Sequence, residues 1–305
     1  KNFCWNSWNS SRCTIQEVQA SKVIVMLYLP YLIGFAALTI WQPKFATAVD
    51  WSTGNTSVWL SAAAYCETDT YLERTYKGYS SGFVASYVID DNHDNDVQGY
   101  IGYLPSQSAI YVVYRGSTSI EDWLNNLDAI LTDYPKCSGC EVHKGFYKAQ
   151  QGVIDYVTQS VLELLAKYPS YEVIVTGHSL GAAMATLTAL DLLDNAQVSA
   201  AATSGVRMFN FGSPRVGNTD FAAYVTGMLA DRNRVTHHKD MVPHVPMHER
   251  FTHISGEWYE DEDHVLHECQ GYEDPDCSYQ WHITSIDDHM TYLTLYMGCD
   301  AVSLG

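Results

Sequence analysis

The feature that most constrains this chain is the pentapeptide Gly177-His-Ser-Leu-Gly181, which joins a β-branched run to an Ala- and Leu-rich run. Residues 171–177 predict a short strand and residues 180–193 predict a helix. A serine between a strand and a helix lies in a sharp turn that leaves no room for side chains at the two glycine positions. The pattern therefore predicts that Ser179 is lifted off the end of a strand, where its hydroxyl can act as a nucleophile.

The rest of the chain continues this alternation of strands and helices. Runs rich in Val, Ile and Tyr between Gly, Pro and Ser predict strands, and apolar residues with a 3.6-residue period predict helices. The predicted strands are 83–89, 98–104, 109–114, 171–177, 206–211 and 234–237, and the predicted helices are 58–71, 145–168, 180–193 and 220–229. Such an alternation predicts an α/β domain with a mostly parallel central sheet flanked by helices.

A nucleophilic serine needs a histidine base, which is itself oriented by a carboxylate. After a serine in a strand–turn–helix motif, the expected order along the chain is acid and then histidine. Asp240 follows a predicted strand and is the predicted acid, with Asp220 and Asp231 as the nearest alternatives. Among the histidines after Asp240, we predict His289 as the base because it precedes an apolar stretch near the end of the chain, with His282 as the alternative.

Composition argues against several other classes of function. The chain has 17 basic and 35 acidic residues, a formal net charge of -18, which disfavours binding to nucleic acid or to an anionic membrane. It contains no glycine-rich phosphate-binding loop, so no cofactor is predicted. Several neighbouring histidines are interrupted by prolines, which prevent a helical pair of metal ligands, so no metal site is predicted. These histidines are His237, His238, His244 and His248, and the prolines are Pro243 and Pro246.

The first 48 residues differ from the rest of the chain. An apolar run at 23–41 is followed by Ala46-Thr-Ala48, which has the form of a signal peptidase site. We predict a leader over 1–48 and a single secreted domain over 49–305. A membrane anchor is the alternative, because an apolar run of about 19 residues can just span a bilayer.

Cysteine usage supports an oxidising compartment. Of the eight cysteines, Cys4 and Cys13 fall in the predicted leader, which leaves an even number for the domain. Cys137 and Cys140 are spaced like a redox or zinc pair. Because no second such pair exists, we predict a local disulfide between them.

The chain resembles the fungal-type class 3 lipases of the α/β-hydrolase fold over nearly all of 57–299, in several sequence blocks that occur in the same order. The matching blocks are Val113-Tyr-Arg-Gly-Ser117, Val142-His-Lys-Gly-Phe146, Val175-Thr-Gly-His-Ser-Leu-Gly-Ala182, Phe211-Gly-Ser-Pro-Arg-Val-Gly-Asn218, Val235-Thr-His-His-Lys-Asp-Met-Val-Pro243 and Asp288-His289. The resemblance implies that Ser179, Asp240 and His289 form a catalytic triad.

The resemblance also implies further site residues. Ser117 and Leu180 would form the oxyanion hole, and the position of Leu180 directly after the nucleophile independently favours its N–H as a donor. The implied disulfides, which the sequence alone cannot choose among other pairings, are Cys66 with Cys299, Cys137 with Cys140 and Cys269 with Cys277.

A short amphipathic segment follows Ser117. Ile120, Trp123, Leu124 and Leu127 have the spacing of one helical face. In similar lipases this position is a lid over the serine, so we expect a lid here. The alternative is that the apolar face packs permanently against the core. An apolar lid on an acidic protein would suit a neutral oil droplet better than an anionic bilayer.

The resemblance implies a secreted triacylglycerol lipase that acts on lipid esters at an oil–water interface, without a cofactor or an obligate protein partner. A phospholipase or galactolipase A1, or a feruloyl-type esterase, is the alternative on the same fold. A non-catalytic lipid-binding protein is the alternative from another class, and the intact set of triad residues argues against it.

Overall fold

The structure is a computed structural model that describes residues 49–91, 97–202 and 205–303. The predicted leader lies outside the described residues. Within these three ranges, no helix is long and apolar enough to cross a membrane. The helices are α1 (Trp51–Ala63), α2 (Ile120–Asn125), α3 (Lys144–Lys167), α4 (Leu180–Asp194), α5 (Ala196–Ala201), α6 (Thr219–Met228) and α7 (Cys299–Ser303).

Eight of the described strands form one sheet in the order β1-β2-β3-β6-β7-β8-β9-β10. The strands are β1 (Val84–Asp91), β2 (Val97–Leu104), β3 (Ala109–Tyr114), β4 (Leu131–Asp133), β5 (Glu141–His143), β6 (Glu172–His178), β7 (Val206–Phe211), β8 (Arg232–His237), β9 (Glu257–Glu260), β10 (Leu266–Glu268), β11 (Thr291–Tyr292) and β12 (Leu295–Tyr296). Neighbours from β3 to β9 run parallel, and β1, β2 and β10 pair antiparallel at the two edges. The predicted α/β fold with a mostly parallel central sheet is confirmed.

Side chains of the central strands alternate between two hydrophobic cores, one on each face of the sheet. On β3, Ile110 and Val112 belong to the core that includes α3 and α4, whereas Tyr111 and Val113 belong to the core that includes α1. This is the two-residue period of a strand that is covered on both faces. The sheet is therefore sandwiched between helices, and its carboxyl-terminal edge is where loops can gather functional side chains.

The boundaries of the first helix were predicted wrongly. The pattern predicted a helix over 58–71, but α1 begins at Trp51 and ends at Ala63, and 68–70 form a separate short 3-10 turn. The start is set by Asp50, whose carboxylate accepts a hydrogen bond from the Ser52 N–H at 3.0 Å and caps the helix. By contrast, β3 and β7 have the predicted boundaries.

Three disulfides fix peripheral segments to this framework. They join Cys66 to Cys299, Cys137 to Cys140 and Cys269 to Cys277, the pairs that the family resemblance implied. The first connects the end of the α1 segment to α7 across 233 residues, the second closes the loop between β4 and β5, and the third follows β10.

Candidate active site

Ser179 lies in a sharp turn between β6 and α4. Its backbone angles, φ 59° and ψ -128°, are in a region that L-residues rarely adopt. A Cβ on Gly177 would lie 2.4 Å from the Gly181 carbonyl carbon, and one on Gly181 would lie 2.4 Å from the Tyr114 carbonyl oxygen. Both glycines are therefore required sterically, as the pentapeptide predicted.

Asp240 and His289 form a buried pair beside this turn. His289 Nδ1 lies 2.9 Å from Asp240 Oδ2, and neither side chain is more than 1% exposed. Because the carboxylate accepts a hydrogen bond, the proton of a neutral His289 ring is assigned to Nδ1, which leaves Nε2 as a base. The alternative acids and the alternative base do not take part in this pair. Asp231 forms an ion pair with Arg207, with Oδ2 2.6 Å from Nε. Asp220 and His282 are exposed.

Two further donors hold the Asp240 carboxylate. The Val242 N–H donates to Oδ1 at 2.8 Å, and the Tyr292 hydroxyl donates to Oδ2. Burial and the adjacent Asp240 charge raise the pKa of Tyr292 well above its ordinary value, so the phenol stays protonated. Tyr292 had no role in the sequence prediction, although it lies only three residues after His289.

The end of β7 links the serine to this pair. Ser179 N–H donates to the Phe211 carbonyl at 3.0 Å. A Cβ on the next residue, Gly212, would lie 2.8 Å from His289 Cε1 and 2.9 Å from Asp240 Oδ2. Ser179, Asp240 and His289 are thus gathered around one glycine at the carboxyl-terminal edge of the sheet.

Ser179 and His289 each leave one polar atom without a partner. Both residues are completely buried, and Ser179 Oγ and His289 Nε2 have no hydrogen-bond partner within the described part of the chain. Buried polar atoms are usually hydrogen bonded, and catalytic hydrogen bonds are often long before substrate binds. The two orphaned atoms are those that a serine nucleophile and its base would use.

His178 connects the base to α1. Its Nε2–H donates to the His289 carbonyl at 2.9 Å, and its Nδ1 accepts from the Tyr65 hydroxyl at 2.6 Å. Burial, followed by the nearby His289, lowers the pKa of His178 well below its ordinary value, so the ring stays neutral. His178 occupies a variable position of the pentapeptide and Tyr65 follows α1, so no sequence pattern marked either residue.

The predicted oxyanion donors come from two different elements. Leu180 begins α4 directly after Ser179, and the first N–H groups of a helix have no partner inside the helix. Ser117 is half-buried in the segment after β3. Its neighbour Gly116 is so close to the turn that a Cβ there would lie 2.9 Å from Ser179 Cβ. The structure brings both segments to the serine.

The predicted lid segment forms α2, with its apolar side facing the protein. Ile120 is buried, Trp123, Leu124 and Leu127 are half-buried, and the polar residues of the other side are exposed. The Trp123 ring stacks against Phe146 with their centroids 6.4 Å apart. The exposed polar residues are Glu121, Asp122, Asn125 and Asn126.

A groove of about 440 Å³ with mostly apolar walls lies between α2 and the start of α3. Its lining includes the apolar residues Trp123, Leu127, Phe146 and Leu180, together with the charged residues Asp128, Lys144 and Lys148. Since Leu180 is adjacent to Ser179, the groove reaches the neighbourhood of the serine. Its size and mostly apolar walls suit an extended hydrocarbon group.

Comparison with known proteins points to one family. The family model described as lipase (class 3) matches residues 111–250. A lipase from Rhizomucor miehei is 35% identical over 208 residues, which cover 67% of this chain and 57% of the relative. A secreted mono- and diacylglycerol lipase A from Penicillium cyclopium is 35% identical over 181 residues, which cover 59% of this chain and 57% of the relative. The chain thus spans little more than half the length of these curated relatives.

Solved structures agree with the sequence matches. A Rhizomucor miehei lipase–propeptide complex superposes with a TM-score of 0.75 at 31% identity and covers 83% of each chain. A triacylglycerol lipase whose catalytic centre is a serine-protease triad also superposes with a TM-score of 0.75 at 31% identity, covering 83% of this chain and 98% of that chain.

Proposed function

The chain belongs to the class 3 lipase family, and from that premise we propose that it is a triacylglycerol lipase with Ser179, His289 and Asp240 as its catalytic triad. The observation that carries the proposal is the strained, buried serine beside the His289–Asp240 pair. A serine, a histidine base and an orienting carboxylate are the minimum set for acyl transfer.

In the proposed mechanism, His289 Nε2 takes the Ser179 hydroxyl proton while Oγ attacks the ester carbonyl carbon. The oxyanion of the tetrahedral intermediate accepts hydrogen bonds from Leu180 and Ser117. His289 then gives the proton to the leaving alcohol, which departs and leaves an acyl-enzyme. Water attacks the acyl group by the same route in reverse, which releases the fatty acid and returns the proton to Ser179. Asp240 keeps the His289 ring oriented throughout.

Access to the serine would require α2 to move. Ser179 is completely buried, so an ester carbonyl cannot reach it in the arrangement described, and Trp123 of α2 lines the same groove as Leu180, the residue after the serine. Outward rotation of α2 would expose Trp123, Leu124 and Leu127 to a lipid surface. The net charge of -18 favours an uncharged oil surface over an anionic bilayer.

We extend the proposal to the compartment and the leader. Three disulfides are typical of proteins made in an oxidising environment, and a matched relative carries the word secreted in its name. Secretion with residues 1–48 as a leader is consistent with both observations. The substrate is then a lipid ester at an oil–water interface, with no cofactor.

The experiment that tests the proposal compares emulsified trioleoylglycerol with a soluble short-chain ester, across the solubility limit of the substrate. We expect the rate to rise sharply above that limit, and Ser179→Ala to lower it by at least about a thousandfold. Full activity in Ser179→Ala would refute the triad. Activity on the soluble ester alone would indicate an esterase, and activity on phosphatidylcholine alone would indicate a phospholipase A1.

Partial glycerides are a second candidate substrate, because the Penicillium cyclopium relative is named a mono- and diacylglycerol lipase. Parallel assays with mono-, di- and trioleoylglycerol separate the two. Comparable rates on all three support the first proposal, whereas hydrolysis of the mono- and diester without the triester supports the second.

A further inference from the structure

Three side chains outside the candidate triad gather at the carboxyl-terminal edge of the sheet. His237 ends β8 and Glu260 ends β9, and the two residues are paired in the parallel register of these strands. His264 returns to the same place through the turn between β9 and β10. One donor atom from each side chain can be chosen so that all three lie within 4.8 Å of one another.

The ring of His237 has a defined orientation. Its Nδ1 lies 2.8 Å from the Asp288 carbonyl oxygen, which can only accept a hydrogen bond, so Nδ1 carries a proton and Nε2 is the nitrogen that can bind a metal ion. A histidine that binds a metal typically donates its other ring N–H to a carbonyl or carboxylate in this way. The His237 and His264 rings are nearly parallel, at 12°, with centroids 5.3 Å apart.

Glu260 supplies a buried carboxylate. Its side chain is 0% exposed, yet its described hydrogen bonds come only from the Leu293 N–H at 2.8 Å and from His264 Nδ1 at 2.7 Å. A buried carboxylate needs a nearby positive charge to offset the loss of hydration. His264 is 35% exposed on its side chain, so the cluster is open to solvent on one side.

We propose that His237, Glu260 and His264 bind one Zn²⁺ ion, with a fourth position open to water. Two imidazole nitrogens and one carboxylate oxygen are a common Zn²⁺ ligand set, whereas Ca²⁺ and Mg²⁺ prefer oxygen ligands. The ion would replace the proton now shared between His264 and Glu260. Tetrahedral bonds of about 2.0–2.2 Å place the ligand atoms roughly 3.4 Å apart, so His264 Nδ1 and Glu260 Oε1 would have to separate from their present 2.7 Å. The exposed turn that carries His264 can supply this movement.

The position of the ion gives it a structural role in the segment that carries the candidate base. The His237 Nδ1–H donates a hydrogen bond to the carbonyl of Asp288, the residue before His289. Glu260 Oε2 accepts a hydrogen bond from the N–H of Leu293, the residue after Tyr292. Zn²⁺ binding would therefore tie both ends of 288–293 to the sheet. The inference does not depend on the proposed lipase activity.

The test measures Zn²⁺ binding by the full chain, without a histidine tag, after treatment with a chelator. Isothermal titration calorimetry should give one Zn²⁺ per chain, and a hundredfold excess of Zn²⁺ over its Kd should raise the Tm by at least about 3 °C. Co²⁺ in place of Zn²⁺ should give the intense visible absorption of a tetrahedral site. No binding by the wild-type chain would overturn the proposal.

His264→Gln is the decisive variant because the residue is exposed and the amide can still donate to Glu260. We expect its Zn²⁺ affinity to fall at least about tenfold and its visible Co²⁺ absorption to be lost. His267→Gln is the matched control, since His267 lies on the same hairpin and pairs with Asp261 at 2.7 Å. Unchanged Zn²⁺ binding by His264→Gln, or an equal loss in His267→Gln, would show that the ion binds elsewhere.

Discussion

Tyr292 donates its phenolic hydrogen to Asp240 Oδ2, the same carboxylate oxygen that faces His289 Nδ1. All three side chains are buried, and Tyr292 is 0% exposed. A carboxylate that accepts several hydrogen bonds has a fixed orientation and a more stable negative charge. Tyr292 is therefore a positioning residue, which acts on the candidate base through the acid.

Replacing Tyr292 by Phe should test this role. The change removes one charge-assisted hydrogen bond of about 1.5–3 kcal/mol, so we expect kcat to fall about tenfold to a hundredfold while KM changes little. Steady-state kinetics on a soluble ester measure the split. Tyr296→Phe is the control, because that ring is 56% exposed. An unchanged kcat in Tyr292→Phe would mean that the Val242 N–H alone suffices to hold Asp240.

Two buried histidines should make the folded state sensitive to mild acid. Burial lowers the pKa of His178 and of His253 well below the ordinary histidine value of 6.5. As the pH falls below about 6.5, the unfolded chain binds protons that the folded chain does not. The free energy of unfolding should therefore be highest above this pH and fall below it, by up to about 1.4 kcal/mol per pH unit for each histidine.

Urea denaturation at pH 7.5, 6.5 and 5.5 measures this loss. His253→Gln should make the pH dependence shallower, because the amide can still donate to the Pro243 carbonyl without titrating. His282→Gln removes an exposed imidazole and should leave the slope as in the wild type. Equal free energies of unfolding at the three pH values would contradict the assignment.

The apolar side of α2 should matter for oil droplets more than for soluble esters. Trp123→Ala removes the largest apolar side chain of this helix, and we expect activity on emulsified trioleoylglycerol to fall about tenfold, equivalent to about 1.4 kcal/mol of apolar contact. Activity on a soluble ester should change less than about threefold. Asn125→Ala, on the exposed side, is the control. An equal loss on both substrates would favour the alternative that α2 packs permanently.

The disulfide between Cys66 and Cys299 should stabilise the fold more than the one between Cys137 and Cys140. In the chain-entropy description, a cross-link restricts the unfolded chain more when it closes a longer loop, and the two sequence separations are 233 and 3 residues. We expect the double serine variant at the first pair to lose about 2–5 kcal/mol of unfolding free energy, and the second to lose less. Chemical denaturation under oxidising conditions compares them, and the reverse order would refute the explanation.

What the sequence determined by itself is local. Gly177 is required because a Cβ there would collide with Gly181 four residues later, and this constraint lies within the pentapeptide itself. The clash at Gly181 is instead with Tyr114 on the neighbouring strand, so the pentapeptide predicted that glycine without giving its cause. Apolar periodicity likewise predicted most of the described helices and six of the twelve described strands, since it records which side of an element is buried, whereas the strands that it missed have only two to four residues. The start of α1 was missed because it depends on the Asp50 cap rather than on periodicity.

Only the tertiary structure decided which distant side chains meet. Asp240 and His289 are 49 residues apart in sequence. Position along the chain left alternative candidates for both the acid and the base, and only the folded structure shows that these two side chains are in contact. Tyr65, His178 and Tyr292 carry no sequence signal, because their contacts are made across strands and loops. The same holds for His237 and His264, which approach because β8 and β9 pair in parallel and a tight turn reverses the chain. Local steric constraints and apolar periodicity can be recognised in short stretches of sequence, whereas these contacts depend on the register of the whole sheet.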